Sequence, residues 1–278
     1  MKFGFVTCVQ LGLSCMEAIY EAGGKLNLCI SLKDDVARKK SGRVYIDDFC
    51  NKNGIELIKV CHINDLETIN ALKFHEIDWL FVIGWSQIAC TEVIALPKKG
   101  TLGIHPTLLP EGRGRAAIPW AILKRLNKTG VTMFKLDAGV DTGPILSQME
   151  IPLTNNIDAS KLYEMVNKAH IELIHRTISS LMSGNILLTE QDSNKATIWP
   201  GRRPEDGRID LNGSVWDAEC LVRAVTRPYP GAFVDTGDER VVIWKARVVP
   251  GLTPLRCFEF KDGFLECLEC SSSDRVAD

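Results

Sequence analysis

Apolar positions run almost unbroken through KFGFVTCV (2–9), as in a strand buried on both faces, and then switch to helical spacing in CMEAIYEAG (15–23), which closes on Gly23-Gly24. The alternation repeats. LNLCISL (26–32) reads as a strand, VYIDDFCNKNG (44–54) as a helix closed by a turn, and ELIKV (56–60) as a strand. A helix over 64–74 with Asn64 as its cap follows, then the strands DWLFVIGW (78–85) and TLGIHP (101–106). Strands separated by helices predict a parallel sheet with crossover helices, whose ligands sit beyond the carboxyl ends of the strands. After Pro106 a Pro-, Gly- and Arg-rich loop leads to a helix near 118–126, the strands VTMFKL (131–136) and PILSQMEIPL (144–153), and a long helix over 157–183 that stops at Gly184. Beyond Trp199 the pattern changes to short alternating runs: RIDLN, GAFVDTGDERVVIWKARVV and LRCFEFKDGFLECLEC. Gly237-Asp238 and Asp262-Gly263 mark hairpins there, and the expectation is a small barrel or sandwich followed by a frayed tail, SSSDRVAD.

The predicted fold class is therefore α/β: a Rossmann-like parallel or mixed sheet at the N-terminus, with a small, mostly-β, OB-like C-terminal domain. The expected boundaries are 1–184 for the first domain, 185–198 for a linker, 199–270 for the second domain and 271–278 for the tail. The chain has 278 residues, 45% hydrophobic and 24% charged, which excludes disorder and coiled-coil architecture. Its net charge of −2 provides no global field for nucleic acid. No apolar run reaches the roughly 18 residues of a membrane span, and MKFGFVTC lacks the features of a signal peptide, so a cytoplasmic location is expected. Most of the ten cysteines read as small buried hydrophobes. Cys267 and Cys270 form a CxxC with neither a second pair nor a nearby His, so no metal site is expected.

Candidate chemistry is sparse. No GxGxxG follows the first strand, and GxxxxGK[ST], GxSxG and HExxH are all absent. What remains is His105, at the end of a strand, and Asp141, in a Gly-flanked turn after another. An imidazole and a carboxylate at that edge suit proton transfer at neutral pH. His62, His75, His170 and His175 show no partner spacing.

GIHPTLLPEGRGRAAIPWAI (103–122) followed by TGVTMFKLDAGVDTGPILSQ (129–148) resembles the 10-formyltetrahydrofolate-dependent formyltransferases, which act on methionyl-tRNA, glycinamide ribonucleotide or sugar nucleotides. Their hallmark is Asn-x-His, a Pro-Ser-Leu-Leu-Pro-like loop ending in Arg-Gly, and an Asp in an Asp-x-Gly turn. The resemblance implies that an amine attacks the formyl carbon while His105 assists proton transfer in the tetrahedral intermediate. Asp141 accepts the amine's proton or positions His105. It implies further that Trp85, Ser86, Gln87 and Ile88, with Gly139, Val140 and Gly143, line the folate pocket, and that Thr107, Arg113 and Arg115 meet the substrate. The family asparagine is Gly103 here. Loss of such an oxyanion donor costs about 10²–10³ in rate elsewhere. Three accounts stand: Ser86, Gln87 or Thr107 replaces it, Gly103 makes room for a differently seated substrate, or activity is lost.

WPGRRPEDGRIDLN and RAVTRPYPGAF look like the companion domain of the sugar-nucleotide members. From residue 201 onward there are 11 Lys and Arg against 14 Asp and Glu, a net of −3, which speaks against tRNA. The resemblance thus implies N-formylation of a nucleotide-linked amino sugar, with 10-formyltetrahydrofolate as co-substrate and without nucleic acid or membrane partners. Methionyl-tRNA, a small metabolite amine, or ligand binding without turnover are the alternatives. Dimers are common among relatives, so a homodimer is among the expectations.

Overall fold

The structure is a computed structural model that describes residues 1–38, 42–237 and 239–274. Chain contacts divide it into two compact units, Met1–Gly114 with Gly130–Ile151 and Val166–Ile198, and Arg115–Thr129 with Pro152–Met165 and Trp199–Asp278.

The first unit is built on β1 (Phe3–Val6), α1 (Gln10–Glu21), β2 (Leu26–Leu32), α2 (Asp34–Ala37), α3 (Asp47–Asn53), β3 (Glu56–Val60), α4 (Leu66–His75), β4 (Trp79–Ile83), α5 (Thr91–Ala95), β5 (Gly100–His105) and β6 (Arg113–Gly114). Helix α6 (Ala117–Leu123) belongs to the second unit; the first continues with most of β7 (Lys128–Lys135) and β8 (Ile145–Pro152), the greater part of α7 (Ala159–Ser183) and the start of the two-residue β9 (Ile198–Trp199). The sheet order is β3-β2-β1-β4-β5-β7-β8. The first five strands are parallel and β7 joins β5 antiparallel, so the sheet is mixed, as expected.

Alternation along the strands loads both faces. Val6, Leu28, Ile30 and Leu80 pack with Ile63, Ile69, Leu72 and Val93. Phe3, Phe5 and Phe81 meet each other, with ring centroids 5.6–5.8 Å apart for the two pairs involving Phe81. Helix α7 buries Val166, Ala169, His170, Leu173, Ile174 and Thr177, a stripe at helical spacing, and ends at Gly184 with φ +79°.

Asn64 does not cap α4. Asp65 holds the cap position with extended backbone, while its Oδ2 accepts from the N–H groups of Cys61 and His62. Asn64 instead donates from Nδ2 to the Ile88 carbonyl and accepts at Oδ1 from Cys90 N–H, tying the loop after β4 to the loop after β3.

The second unit is mostly β, as expected. It comprises α8 (Val215–Val225), β10 (Ala232–Thr236), β11 (Glu239–Val249), β12 (Cys257–Phe260) and β13 (Gly263–Asp274), with sheet order β10-β11-β13-β12 and antiparallel pairing throughout. The eleven-residue α8 was not expected; Ser214 caps it by accepting from Trp216 N–H. RIDLN is not a strand, since Arg208 makes a lone bridge to Phe233 and the chain then turns. Asp262-Gly263 does turn a hairpin, between β12 and β13. Of the other hairpin signal, Asp238 lies outside the described residues. Residues 271–274 are paired with β11 rather than frayed, and 275–278 lie outside the described residues.

Candidate active site

Parallel strands β1, β4 and β5 end on one edge of the sheet, and His105 is the last residue of β5. Its ring is buried. Nε2 lies 2.8 Å from the Gly112 carbonyl oxygen, which can only accept, so the N–H of the neutral ring sits on Nε2. Gly112 takes a left-handed φ of +71° to aim that carbonyl, and Thr197 Oγ1 accepts from its N–H at 2.8 Å.

Nδ1 of His105 faces Asp141, 3.6 Å from Oδ2. That is within ion-pair reach and too long for a direct hydrogen bond. Both side chains are mostly buried. Asp141 Oδ2 also accepts from Gly114 N–H at 2.8 Å, which fixes the carboxylate against the loop that follows His105. Asp141 itself has φ +55°, a left-handed conformation that Asp tolerates better than most residues.

Two glycines, one on each side of it, shape the turn. A Cβ on Gly143 would fall 1.8 Å from the Lys135 carbonyl oxygen, so the backbone passes there only because the side chain is missing. A Cβ on Gly139 would meet Thr142 Oγ1 at 2.0 Å, and Gly139 N–H donates to Asp137 Oδ1.

Arg113 is buried and spends Nε and Nη2 on Gln191 Oε1, at 3.1 and 2.8 Å. Gln191 passes the constraint on: its Nε2 donates to the carbonyls of Asp141 (2.9 Å) and Gly143 (2.7 Å). The arginine therefore clamps the Asp141 turn. The sequence reading missed Gln191, which sits in the stretch assigned to a linker and carries no motif. Arg115, by contrast, is exposed. Thr107 is buried; its carbonyl accepts from Thr132 Oγ1, and its own Oγ1 has no partner among the described residues.

In the loop after β4, Gln87 is held at both ends of its amide. Its Oε1 accepts from Ile63 N–H and its Nε2 donates to the Cys61 carbonyl. Together with Asn64 it anchors this loop. Trp85 packs against the adjacent core with its indole N–H buried and unpartnered, and Ser86 has a bonding partner. Ile88 and Val140 are 76% and 57% exposed, Ile88 on the loop after β4 and Val140 in the turn that carries Asp141.

At Gly103 the missing side chain has been replaced by apolar neighbours. A Cβ there would lie 2.8 Å from Leu136 Cδ2 and 3.3 Å from Phe134 Cε1. Gly103 pairs directly with Phe134 across the β5–β7 ladder. Gln87 spends one of its two Nε2 N–H donors on the Cys61 carbonyl and keeps the other, whereas Thr107 Oγ1 is enclosed by protein.

Residues 15–178 match the family model described as "Formyl transferase", and residues 202–256 match "Formyl transferase, C-terminal domain". Methionyl-tRNA formyltransferase of Lachnospira eligens is 26% identical over 265 residues, covering 95% of this chain and 84% of that protein. The N-formyltransferase of Helicobacter canadensis, solved with folinic acid and dTDP-3-aminofucose, superposes with a TM-score of 0.70 at 19% identity, covering 95% of this chain and 97% of that one. Methionyl-tRNA formyltransferase of Clostridium thermocellum gives a TM-score of 0.65 at 16% identity over 99% and 100% of the two chains.

Proposed function

This chain belongs to the formyl transferase family and is a formyl-transferring enzyme; from that premise we propose that it moves the formyl group of 10-formyltetrahydrofolate onto the primary amine of a nucleotide-linked amino sugar. The observation that carries the chemistry is His105 Nδ1 standing 3.6 Å from Asp141 Oδ2 at the mouth of the sheet, with Nε2 already engaged by Gly112.

When bound, the donor supplies an electrophilic formyl carbon. The acceptor amine must shed a proton as it attacks, and the departing nitrogen must gain one. His105 Nδ1 is the atom that takes up this proton and gives it back, because Nε2–H stays with the Gly112 carbonyl. Asp141 holds the charged imidazolium in place and keeps its orientation through Gly114 and Gln191. The exposed apolar faces of Ile88 and Val140 support a flat ring system as the ligand of these loops, with Trp85, Ser86, Gly139 and Gly143 shaping its seat and Gln87 holding the loop. Arg115, rather than the clamped Arg113, has a guanidinium available for a phosphate. Thr107 and the Gly103 position complete the proposed set.

The sugar nucleotide is favoured by charge. From residue 201 onward the chain holds 11 Lys and Arg against 14 Asp and Glu, a poor match to the phosphates that dominate tRNA affinity. The second reading, methionyl-tRNA as acceptor, rests on the 26% identical relative. The third, binding without turnover, rests on the apolar filling of the Gly103 position.

One experiment separates them. Tetrahydrofolate release is followed with 10-formyltetrahydrofolate and, in turn, dTDP-, UDP- and GDP-linked amino sugars or methionyl-tRNA. Release with an amino sugar alone supports the proposal. Release with methionyl-tRNA alone transfers the assignment to the second reading, and donor binding without release under any condition transfers it to the third.

A further inference from the structure

A cavity of about 640 Å³ opens in the second unit, bounded by the end of α6 and the residues after it, residues 154–157, one side of α8 from Trp216 to Arg223, and residues 246–248 near the end of β11. None of its walls belongs to the His105–Asp141 site. Its size falls among small-molecule sites, which typically enclose about 300–1,000 Å³.

Three guanidiniums line it: Arg125, Arg223 and Arg247, against a single carboxylate, Glu219. Each is held by a partner without being used up. Arg223 bonds Glu219 at 2.7 Å and the Ile157 carbonyl at 2.8 Å. Arg125 reaches Asp217 at 2.7 Å, and Arg247 is fixed through Nε to the buried carboxylate of Glu266. A guanidinium carries five N–H donors, so most of those on Arg125 and Arg247 remain available, and both side chains are more than half exposed.

Trp216 stands in the same wall with its indole 59% exposed. Two other tryptophans of this unit differ, while Trp199 is buried. Arg202 lies over Trp120 at 5.2 Å and Arg227 over Trp244 at 4.3 Å, whereas among the described residues no cation covers Trp216. A bare indole beside guanidiniums with unused N–H donors is suited to a ligand with one flat aromatic ring and several anionic acceptor oxygens.

We infer that this cavity is a second binding site, separate from the formyl-transfer site, that takes a free nucleoside diphosphate. The base stacks on Trp216, the phosphates meet Arg125, Arg223 and Arg247, and the side-chain amide of Asn155 lies at the rim to read a polar edge. Each guanidinium is paired with one carboxylate, and it is the unused N–H donors of Arg125 and Arg247 that match the acceptor oxygens of two phosphates. An RNA chain would need a wider basic field than this acidic half of the sequence provides.

The test is calorimetric titration of the full chain with UDP and with dTDP, repeated on Trp216→Ala, Trp216→Phe, Arg125→Gln and His105→Asn. Trp216 and Arg125 are exposed, so these replacements leave the fold intact, as thermal melts verify. Saturable binding is expected, weakened about tenfold or more by Trp216→Ala. Arg125→Gln should weaken it several-fold, while Trp216→Phe and His105→Asn leave it within about threefold. Three results overturn the assignment: no saturable binding, binding indifferent to both Trp216→Ala and Arg125→Gln, or a single-stranded RNA oligonucleotide binding more tightly than either free nucleotide at this cavity.

Discussion

A neutral imidazole has one N–H, and the Gly112 carbonyl claims it at Nε2 of His105, so the nitrogen left for chemistry is the one facing Asp141. Two substitutions probe this division. His105→Asn removes the titrating nitrogen and should lower kcat by about 10²–10⁴-fold with an unchanged melting temperature. Asp141→Asn keeps an acceptor for Gly114 N–H and tolerates the left-handed backbone, so it should lower kcat by about 10²-fold through loss of charge alone. Retention of near-normal kcat by either variant, measured as tetrahydrofolate release, removes the proposed proton path. Gly103→Asn asks a different question. Its Cβ displaces the terminal methyl of Leu136, the movable end of a flexible side chain, and presses on the edge of the Phe134 ring, so the protein should fold with a loss of about 1–3 kcal/mol. A rise in kcat would identify a missing oxyanion donor, and a fall in kcat would mean the apolar surface matters to the substrate. His105 and Asp141 were legible in the sequence because each is a proton-handling residue set at a strand end among glycines and prolines. Gln191 was not, because an amide far along the chain acquires its role only once folding brings it under Arg113 and the Asp141 carbonyl.

At the level of elements, the tight passage at Gly143 sets the position of the whole turn. Gly143→Ala places a methyl group against the Lys135 carbonyl, a backbone atom that cannot step aside, and should destabilise by about 1–3 kcal/mol while reducing kcat. A melting temperature equal to the parent's would show that the turn yields freely. Helix α7 makes a pH-dependent prediction. Burial pushes His170 down to about 4 from its ordinary 6.5, the charge of His105 adds to the effect, and a hydrogen bond to the Val166 carbonyl opposes it. The unfolded chain binds this proton near 6.5 and the folded one only near 4, so stability complete above pH 6.5 drains away as the pH falls to 4. The loss amounts to about 3 kcal/mol at most. Melting curves between pH 7 and 5 should show this slope in the parent and not in His170→Leu; equal slopes would exclude it.

Most of the strands were readable from their unbroken apolar runs, and α7 from its long buried stripe. Helix α8 was overlooked although Ser214 at its cap and the spacing of Val215, Ala218, Val222 and Val225 carry its signal, because aromatic and β-branched residues on both sides suggested strands. Asn64 was misassigned for a related reason. A side chain that caps well in isolation was recruited by a neighbouring loop, and no local pattern reveals that competition.

For the molecule as a whole, the modest net charge of −2 gives a prediction about salt. A sugar nucleotide presents few charges, so KM for the acceptor should change by less than about tenfold between 50 and 200 mM salt; a protein making 6–10 phosphate contacts loses about 10³–10⁵ in affinity over that range. A steep salt dependence would favour a polynucleotide acceptor.

The Arg113–Gln191–Asp141 clamp has a consequence for how such enzymes can be recombined. The stretch joining the α/β body to the β-rich unit is an integral part of the proposed catalytic apparatus, since Gln191 holds the Asp141 turn and Thr197 holds Gly112, the partner of His105. A chimera spliced anywhere upstream of Gln191 would inherit every residue that looks essential and still leave the carboxylate slack; the safe seam lies beyond Thr197.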